Sequence, residues 1–410
     1  MRIIYKRRCG LDVHKKVIVA CLLVLDRHGE LHKEIKKFGT MTRDLPELLD
    51  WLGQSGCTHV AMESTGVYWK PVYNILEGHL EIVVVNARHL KGVPGRKTDV
   101  LDSEWPAECF RMGLLKAGFI PPSPVRELCD PTRRRTLLVR ERSRAANRLQ
   151  KVLEDANIKL AGVVTDIQGV SSWAMLREIV SGNADPESPA DLAKGLLRKK
   201  RPQLLEALTG RVKPHHRFLL AELLRHIEYL EESIGRISKE VEESLRPFEE
   251  DVDLLDSIPG AGSRTAEVLL AEIGWDMSRF PSGRHLASWA GMCPGNNESA
   301  GKRRNGKTRK GGRWLRHALI EAAHGAARTK NKYLKVHYHR VAAHRGKKKA
   351  LVAVGHSILV IGCHLLTRRQ SYSDLGANYF DERDRNSVRQ RCVKRLEKLG
   401  YNVNLQPMSA

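Results

Sequence analysis

A glycine-rich and strongly basic stretch at residues 291–316 constrains this chain most, because it cannot form part of a hydrophobic core. It reads GMCPGNNESAGKRRNGKTRKGGRWLR, and after Ser299 it contains eight lysines and arginines but no acid. Glycine lets a backbone approach another surface closely, and uncompensated cations need an anionic partner. The stretch is therefore predicted to be a surface loop that contacts a phosphate backbone.

Seven of the eight cations of this stretch are the first candidates for nucleic-acid contacts. They are Lys302, Arg303, Arg304, Lys307, Arg309, Lys310 and Arg313. Ser299 lies among small residues in the same stretch and is a candidate nucleophile towards phosphorus. The alternative is that Ser299 caps a turn or donates a hydrogen bond to a phosphate. Ser282 and Ser288 compete for the role, but both lie in a more helical and apolar context.

The whole chain has an excess of positive charge. Its 410 residues include 70 lysines and arginines against 47 acids, for a formal net charge of +23. This balance favours a nucleic-acid partner over an anionic membrane. The longest apolar run, residues 350–366, is interrupted by Gly355 and His356 and predicts a buried helix rather than a membrane span.

Cysteine usage and the N-terminal residues indicate the compartment. The eight cysteines are scattered and form no CxxC pair, which disfavours a zinc site and fits a reducing cytoplasm. The N-terminus has basic residues that lead into a strand pattern, with no small-residue cleavage site, so we expect no signal peptide.

The first hundred residues alternate between strand and helix patterns. Two strands in a hairpin are predicted within residues 9–25, followed by a strand at 31–38 and a helix at 44–52. A strand at 59–64, a helix at 66–76 and a continuous β-branched strand at 80–86 complete the order. The N-terminal region is therefore predicted to be an α/β domain with a central mixed sheet.

Four acids stand at the ends of these predicted elements. Asp12 lies in the first strand, Glu63 ends the fourth, and Asp99 and Asp102 lie near the start of a later helix. Asp99 and Asp102 could simply cap that helix, because acids suit its N-terminal dipole. Together, however, the four carboxylates predict a Mg²⁺ site, since this ion takes hard oxygen ligands and offsets their mutual repulsion.

The middle of the chain is helical in pattern. A long basic helix is predicted over residues 130–160, where Arg133, Arg134 and Arg135 are candidates for nucleic-acid contacts. A heptad seam follows at residues 220–241 and predicts a coiled coil. Residues 202–208, the helices near 140–155 or a second subunit could be its partner, and we favour the second subunit.

A helix-hairpin-helix pattern precedes the serine stretch. Residues 254–274 read LLDSIPGAGSRTAEVLLAEIG, and Gly260 and Gly262 are predicted to expose backbone amides to a phosphate. The residues beyond 368 are polar and arginine-rich, and this basic tail is expected to be partly disordered.

The ordered set of motifs closely resembles the DEDD-type insertion-sequence transposases, which act as bridge-RNA-guided DNA recombinases. The motifs are GLDVHK, AMESTGVYW, GRKTDVLD, SIPGAGSRTA and CPGNNESAGKRRNGKTRKGGRWLR, and they extend from about residue 9 to about residue 330. In many members of the family a glycine follows the serine directly, whereas this chain has Ala300 there.

The resemblance implies a fold, a mechanism and partners. The N-terminal domain is expected to share the RNase H/RuvC-like fold, with Asp12, Glu63, Asp99 and Asp102 holding Mg²⁺. A C-terminal transposase domain is expected to use Ser299 to form a covalent phosphoserine link to DNA. A structured non-coding guide RNA would select target and donor DNA, and a homodimer would assemble into a homotetramer with sites shared between subunits.

The expected organisation follows from the motifs. We predict a RuvC-like domain at residues 1–160, a linker and coiled coil at 161–250, a mostly α-helical transposase domain at 251–370 and a basic tail at 371–410. A bacterial cytoplasmic, nucleoid-associated protein is expected, with no membrane partner. Two other functions stay open: a metal-dependent junction resolvase or nuclease without a covalent intermediate, and a non-catalytic nucleic-acid-binding protein.

Overall fold

The computed structural model describes most of the chain. It covers residues 6–64, 66–86, 103–115, 118–182, 185–295, 297–308 and 311–406; the side chains of residues 297–299 and 303–305 are not described. The chain divides into two compact units, Met1–Ile120 and Pro121–Ala410. The first is a mixed α/β unit and the second is mostly helical, as the sequence predicted.

The first unit is built on a five-stranded mixed sheet. Its strands are β1 (Arg7–Val13), β2 (Val17–Leu25), β3 (Leu31–Gly39), β4 (His59–Glu63) and β5 (Glu81–Val85), in the spatial order β3-β2-β1-β4-β5. The first three strands form an antiparallel meander, and β4 and β5 add to β1 in parallel. The predicted order of strands and helices is confirmed.

Helices cover both faces of this sheet. They are α1 (Asp44–Gln54), α2 (Trp69–Leu76) and α3 (Glu104–Arg111). One face buries Leu11 of β1 and Met62 of β4 in a core with Leu48 of α1 and Leu76 of α2. Since successive strand residues point to opposite faces, the even-numbered residues of β1 point the other way.

The second face of the sheet is in close contact with α3. A Cβ atom built on Gly10 would lie 2.2 Å from the carbonyl oxygen of Ser103 and 2.6 Å from the amide nitrogen of Ala107. Only glycine permits this approach, so the start of α3 is fixed against the middle of β1.

The second unit begins with long helices. They are α4 (Ser123–Asp155), α5 (Leu160–Val163), α6 (Val170–Ser181), α7 (Glu187–Asp191), α8 (Arg201–Leu208) and α9 (Pro214–Leu245). The basic helix predicted from residue 130 thus begins seven residues earlier. It continues through Pro131, and the hydroxyl of Thr132 donates to the carbonyl oxygens of Leu128 and Cys129.

The heptad seam of α9 is filled within the chain. Leu220, Ile227 and Leu230 share a core with Leu149 and Leu153 of α4. The two helices are antiparallel, because His216 near the start of α9 contacts Asp155 at the end of α4, whereas Glu231 pairs with Arg142. This intramolecular packing corrects the expectation that the seam pairs two subunits.

The remaining helices follow in the same unit, and most of them bury apolar residues in a second helical core. They are α10 (Glu249–Asp256), α11 (Gly262–Ile273), α12 (Gly283–Trp289), α13 (Arg313–Ala326), α14 (Tyr333–Arg345), α15 (Lys347–Arg368), α16 (Tyr379–Arg383) and α17 (Arg385–Glu397). By length and composition, α15 is the one helix among the described residues that could cross a bilayer, but 56% of its apolar window is buried in the fold. Gly355 and Gly362 of α15 lie against Leu319 and Leu255, as in a packed core helix.

The C-terminal segment is more ordered than the sequence indicated. Asp374 accepts a hydrogen bond from the amide of Tyr333 at the start of α14, and Phe380 stacks on the Tyr333 ring at 5.2 Å. These contacts fix the segment that leads into α16 and α17. Residues 374–380 of the tail are therefore ordered, and the expectation of partial disorder stays a prediction for the residues beyond them.

The contact at Gly10 gives the first test. Gly10→Ala is expected to destabilise the first unit by about 2 kcal/mol or more, because the new methyl group overlaps the backbone of α3. Gly53→Ala is the matched control: a Cβ there has open space, and alanine should stabilise α1 by up to about 1 kcal/mol. Hydrogen exchange of peptides from β1 and α3 measures the first effect and of peptides from α1 the second, and equal protection of β1 and α3 in the two variants would contradict the packing.

Candidate active site

Two of the predicted acids lie on neighbouring parallel strands. Leu11 of β1 is in register with Met62 of β4, and Asp12 and Glu63 are the next residue along each strand. Adjacent strands are about 4.8 Å apart, so these two positions are direct neighbours at the carboxyl edge of the sheet. Both residues are half-buried, and by alternation they point away from the core that holds Leu11 and Met62.

Asp12 has a contact that the sequence reasoning did not identify. Its Oδ2 atom lies 2.9 Å from Nε2 of His14, while its side chain keeps 23% of its surface exposed. A carboxylate that is oriented by one neighbour and still reaches solvent can bind a cation. The signal in the sequence was the position of His14 two residues after Asp12, just past the end of the strand.

The other two acids, Asp99 and Asp102, lie outside the described residues. What the structure does describe is Ser103, the residue that follows Asp102 directly in the chain. Its carbonyl oxygen faces Gly10, which lies two residues before Asp12 on β1. The structure therefore places Asp12 and Glu63 together and leaves the full set of four as a prediction.

The serine stretch is a β-hairpin rather than an irregular loop. Strands β6 (Asn297–Ser299) and β7 (Lys302–Asn305) are antiparallel, and Ser299 pairs with Lys302. The two linking residues, Ala300 and Gly301, both have positive φ, at 51° and 72°. This is the backbone of a tight two-residue turn, and Ser299 is the last strand residue before it.

The turn geometry makes the departure at Ala300 unfavourable. A residue with a Cβ atom pays about 1 kcal/mol or more in the left-handed region, where glycine is favoured. Glycine, which the family resemblance led us to expect after the serine, would suit this position, and alanine adopts it at a cost.

The base of the hairpin is closed by several contacts. The amide of Gly295 donates to the carbonyl oxygen of Lys307 at 2.8 Å. A Cβ atom on Gly311 would lie 2.1 Å from the carbonyl oxygen of Ala290, so the two ends of the stretch meet. Arg316 of α13 joins both ends, donating to Oγ1 of Thr308 at 2.8 Å and to the carbonyl oxygen of Gly291 at 3.4 Å.

Cations remain exposed around this hairpin. Lys302, Lys307 and Arg313 are exposed; Arg303 and Arg304 lie in β7, whereas Arg309 and Lys310 are outside the described residues. The one cysteine of the stretch, Cys293, is half-buried, and burial raises the pKa of its thiol. A raised pKa disfavours the thiolate, so Cys293 is a poor rival nucleophile.

The competing serines have other settings. The hydroxyl of Ser282 caps α12: it accepts a hydrogen bond from the amide of His285 and lies 2.8 Å from Nδ1 of the same residue. This is the usual arrangement of a serine at a helix N-terminus. Ser288 is an exposed residue inside α12.

The three arginines of α4 that were predicted to contact a nucleic acid do not share one environment. Arg135 is 3% exposed and is paired with Glu267, so it is not available to a nucleic acid. This corrects the prediction for Arg135. Burial alone would lower the pKa of Arg133, but two hydrogen bonds to Glu272 outweigh burial and raise it. Arg134 is exposed and stays a candidate for a nucleic-acid contact.

The helix-hairpin-helix is present, formed by α10 and α11, but its two glycines differ. Gly260 has a φ of 88° and packs against α13, where a Cβ atom would lie 2.2 Å from the amide nitrogen of Ala326. Its backbone is therefore part of a helix contact. Gly262, at the start of α11, has open space around it and remains the better candidate for a phosphate contact.

In the described part of the chain, two groups of side chains have ligand atoms close enough together for a metal ion. They are Asp26 with Glu30 and His32, and Asp155 with His215 and His216. In the second group, Nδ1 of His216 accepts from the amide of Lys213, which leaves Nε2 as the donor to Asp155. A metal-bound histidine uses one ring nitrogen for the metal and donates from the other. In His216 one nitrogen accepts a backbone hydrogen bond and the other donates to Asp155, so the group joins two helices.

Comparisons with known proteins agree with the order of these elements. Residues 9–158 match the DEDD transposase domain of the IS110 type, and residues 252–339 match the domain described as "Transposase IS116/IS110/IS902 family". "Putative transposase y4pF/y4sB" of Sinorhizobium fredii is 27% identical over 375 residues, which cover 89% of this chain and 85% of that protein. "Insertion element IS110 uncharacterized 43.6 kDa protein" of Streptomyces coelicolor is 43% identical over 72 residues, or 17% of each chain.

The hydrogen bonds of Arg316 at the base of the hairpin give the second test. Arg316→Ala removes both hydrogen bonds to the ends of the stretch, and trypsin should cleave within residues 302–307 several-fold faster. Arg313→Ala is the matched control, because it also removes one cleavage site from α13 and Arg313 is exposed. Peptide mapping of early digestion products measures the rate, and the same rate in both variants would show that Arg316 does not hold the hairpin.

Proposed function

Because this chain belongs to the IS116/IS110/IS902 family of insertion-sequence transposases, we propose that it cleaves and rejoins DNA by RNA-guided strand exchange, with Ser299 forming the covalent link to DNA. Membership of this family implies a DNA-cleaving and recombining enzyme that binds DNA. Our proposal goes beyond family membership in four respects: the guide RNA, the phosphoserine link, the Mg²⁺ site and the assembly.

The observation that carries the proposal is the register of β1 and β4. It places Asp12 and Glu63 side by side at the carboxyl edge of the sheet, each half-buried. Two neighbouring carboxylates repel each other, and a divalent cation removes that cost. Carboxylate oxygens are the ligands that Mg²⁺ prefers, so the residues fit this ion.

The strand order supports an RNase H/RuvC-like fold for the first unit. An antiparallel meander extended by two parallel strands brings the first and fourth strands together in the centre. We propose that Asp99 and Asp102 complete the set, since α3 begins one residue after Ser103 and packs on β1. When bound, Mg²⁺ would supply positive charge to a phosphate in the site.

Ser299 is suited to attack phosphorus by its position. It ends a short strand directly before a tight turn, and exposed Lys302 and Lys307 can hold a phosphate backbone beside it. In the proposed step its hydroxyl oxygen forms an ester bond to phosphorus and the bond from phosphorus to one deoxyribose oxygen breaks. That oxygen leaves as a hydroxyl, so the serine proton is accounted for, and the reverse reaction rejoins the strand.

The guide RNA and the assembly rest on the family resemblance and on charge. A net charge of +23 exceeds what one short DNA contact requires and suits a second nucleic acid. We propose that a structured non-coding RNA pairs with target and donor DNA, and that a cytoplasmic homodimer assembles into a homotetramer. In that assembly one subunit's serine would act with another subunit's acids.

Loss of the serine hydroxyl is the direct test of the covalent step. With cognate RNA, DNA and Mg²⁺, Ser299→Ala should reduce the covalent protein–DNA adduct at least about a thousandfold, because no other group replaces the nucleophile. Ser282→Ala is the control and should form the adduct at the normal level. Denaturing gel electrophoresis with labelled DNA measures it.

The outcomes separate the two enzyme functions. A persistent adduct in Ser299→Ala would assign the link to another residue. Cleavage to free DNA ends without any adduct, in both the wild-type chain and Ser299→Ala, would indicate a metal-dependent nuclease or junction resolvase that uses only the acids.

If active sites are shared between subunits, two inactive variants should complement each other. Asp12→Asn should abolish strand exchange while RNA binding is retained, whereas Asp50→Asn on the exposed side of α1 should be fully active. A mixture of Asp12→Asn and Ser299→Ala subunits should regain part of the activity. A shared site can take its serine from the Asp12→Asn subunit and its acids from the Ser299→Ala subunit. An inactive mixture, with mixed oligomers demonstrated by affinity tags, would mean that each subunit builds its own site.

A further inference from the structure

The helix α17 differs from the other long helices because none of its thirteen residues, all within the described part of the chain, is buried. Five of them are basic and one, Glu397, is acidic. The basic residues are Arg385, Arg389, Arg391, Lys394 and Arg395. Only Val388 and Val393 are half-buried, so the helix gains little from packing and most of its stability has to come from another source.

The charge pattern of α17 acts against the helix when it is alone. Arg385 and Arg389 are four residues apart, as are Arg391 and Arg395, so like charges are adjacent on the helix surface. A helix of this length is marginal in water even with favourable pairs. A polyanion would convert the repulsion into attraction and would stabilise the helix.

The segment before α17 is nevertheless anchored to the second unit. Asp374 accepts hydrogen bonds from the amides of Tyr333 and Gly376. The Phe380 ring stacks on Tyr333, and the guanidinium of Arg340 lies 4.6 Å from its centre. An anchored segment at residues 374–380 followed by an exposed basic helix is the arrangement of a binding arm.

We propose that α17 is an arm that binds the phosphate backbone and major groove of duplex DNA. Thirteen residues make a helix of about 20 Å, and the major groove of B-form DNA admits an α-helix, whereas the deep groove of A-form RNA does not. The apolar residues of α17 are Val388, Cys392, Val393 and Leu396, which are too few for a membrane anchor. The DNA partner is the one given under Proposed function.

The test compares two variants of the full chain. In the first, Arg389, Arg391, Lys394 and Arg395 are changed to glutamine, which preserves helix propensity. In the second, four exposed cations of the same unit, Arg345, Lys347, Lys348 and Lys349, are changed to glutamine. Affinity for a duplex DNA of arbitrary sequence is measured over a range of salt concentrations.

The first variant should lose about three units of the salt-dependence slope and bind at least about tenfold more weakly than wild type near physiological salt. An unchanged slope, or an equal loss in both variants, would overturn the proposal, the second because only total charge would matter. An equal loss on duplex RNA of the same length would overturn the assignment to DNA.

A third variant, Val388→Ser with Leu396→Ser, addresses a membrane. It should bind DNA as the wild type does, and the wild type should not bind vesicles of anionic phospholipid through α17. Vesicle binding that this variant loses would overturn the proposal. Because binding is measured without strand cleavage, these results are independent of the role of Ser299.

Discussion

The parallel pairing of β1 with β4 is the constraint on which the site depends. It fixes Asp12 and Glu63 at one edge of the sheet because both strands run in the same direction and end at the same level. The contact between Gly10 and the start of α3 adds a third element from the opposite face. A side chain at position 10 would separate α3 from the sheet, so the glycine belongs to the site although it has no functional group.

Positioning of the serine follows a different principle. A two-residue turn and a closed base limit the freedom of the hairpin formed by β6 and β7. Arg316 is important because one guanidinium contacts residues on both sides of the hairpin, Gly291 and Thr308. The cost of the left-handed backbone at Ala300 is then offset by contacts made at the other end of the same hairpin.

The sheet could be predicted from the sequence because its strands are apolar, β-branched and separated by polar turns. The hairpin at 297–305 could not, since its asparagines, glycine and basic residues are typical of a loop and its strands form through turn geometry. Arg135 was misplaced because its partner, Glu267, is 132 residues away and no local pattern signals that pair. The order of residues 374–380 was missed for the same reason, because Asp374 accepts a hydrogen bond from the amide of Tyr333, 41 residues earlier in the chain.

The packing of α9 limits how subunits can associate. Leu220, Ile227 and Leu230 are already buried against the rest of the second unit, so most of the apolar surface of the heptad seam is used within the chain. Phe218 and Tyr229 are 63% and 59% exposed, and their spacing of eleven residues places them together on the opposite face of the helix. A subunit contact made by α9 therefore has to use that outer face, and it would leave the intramolecular helix pair intact.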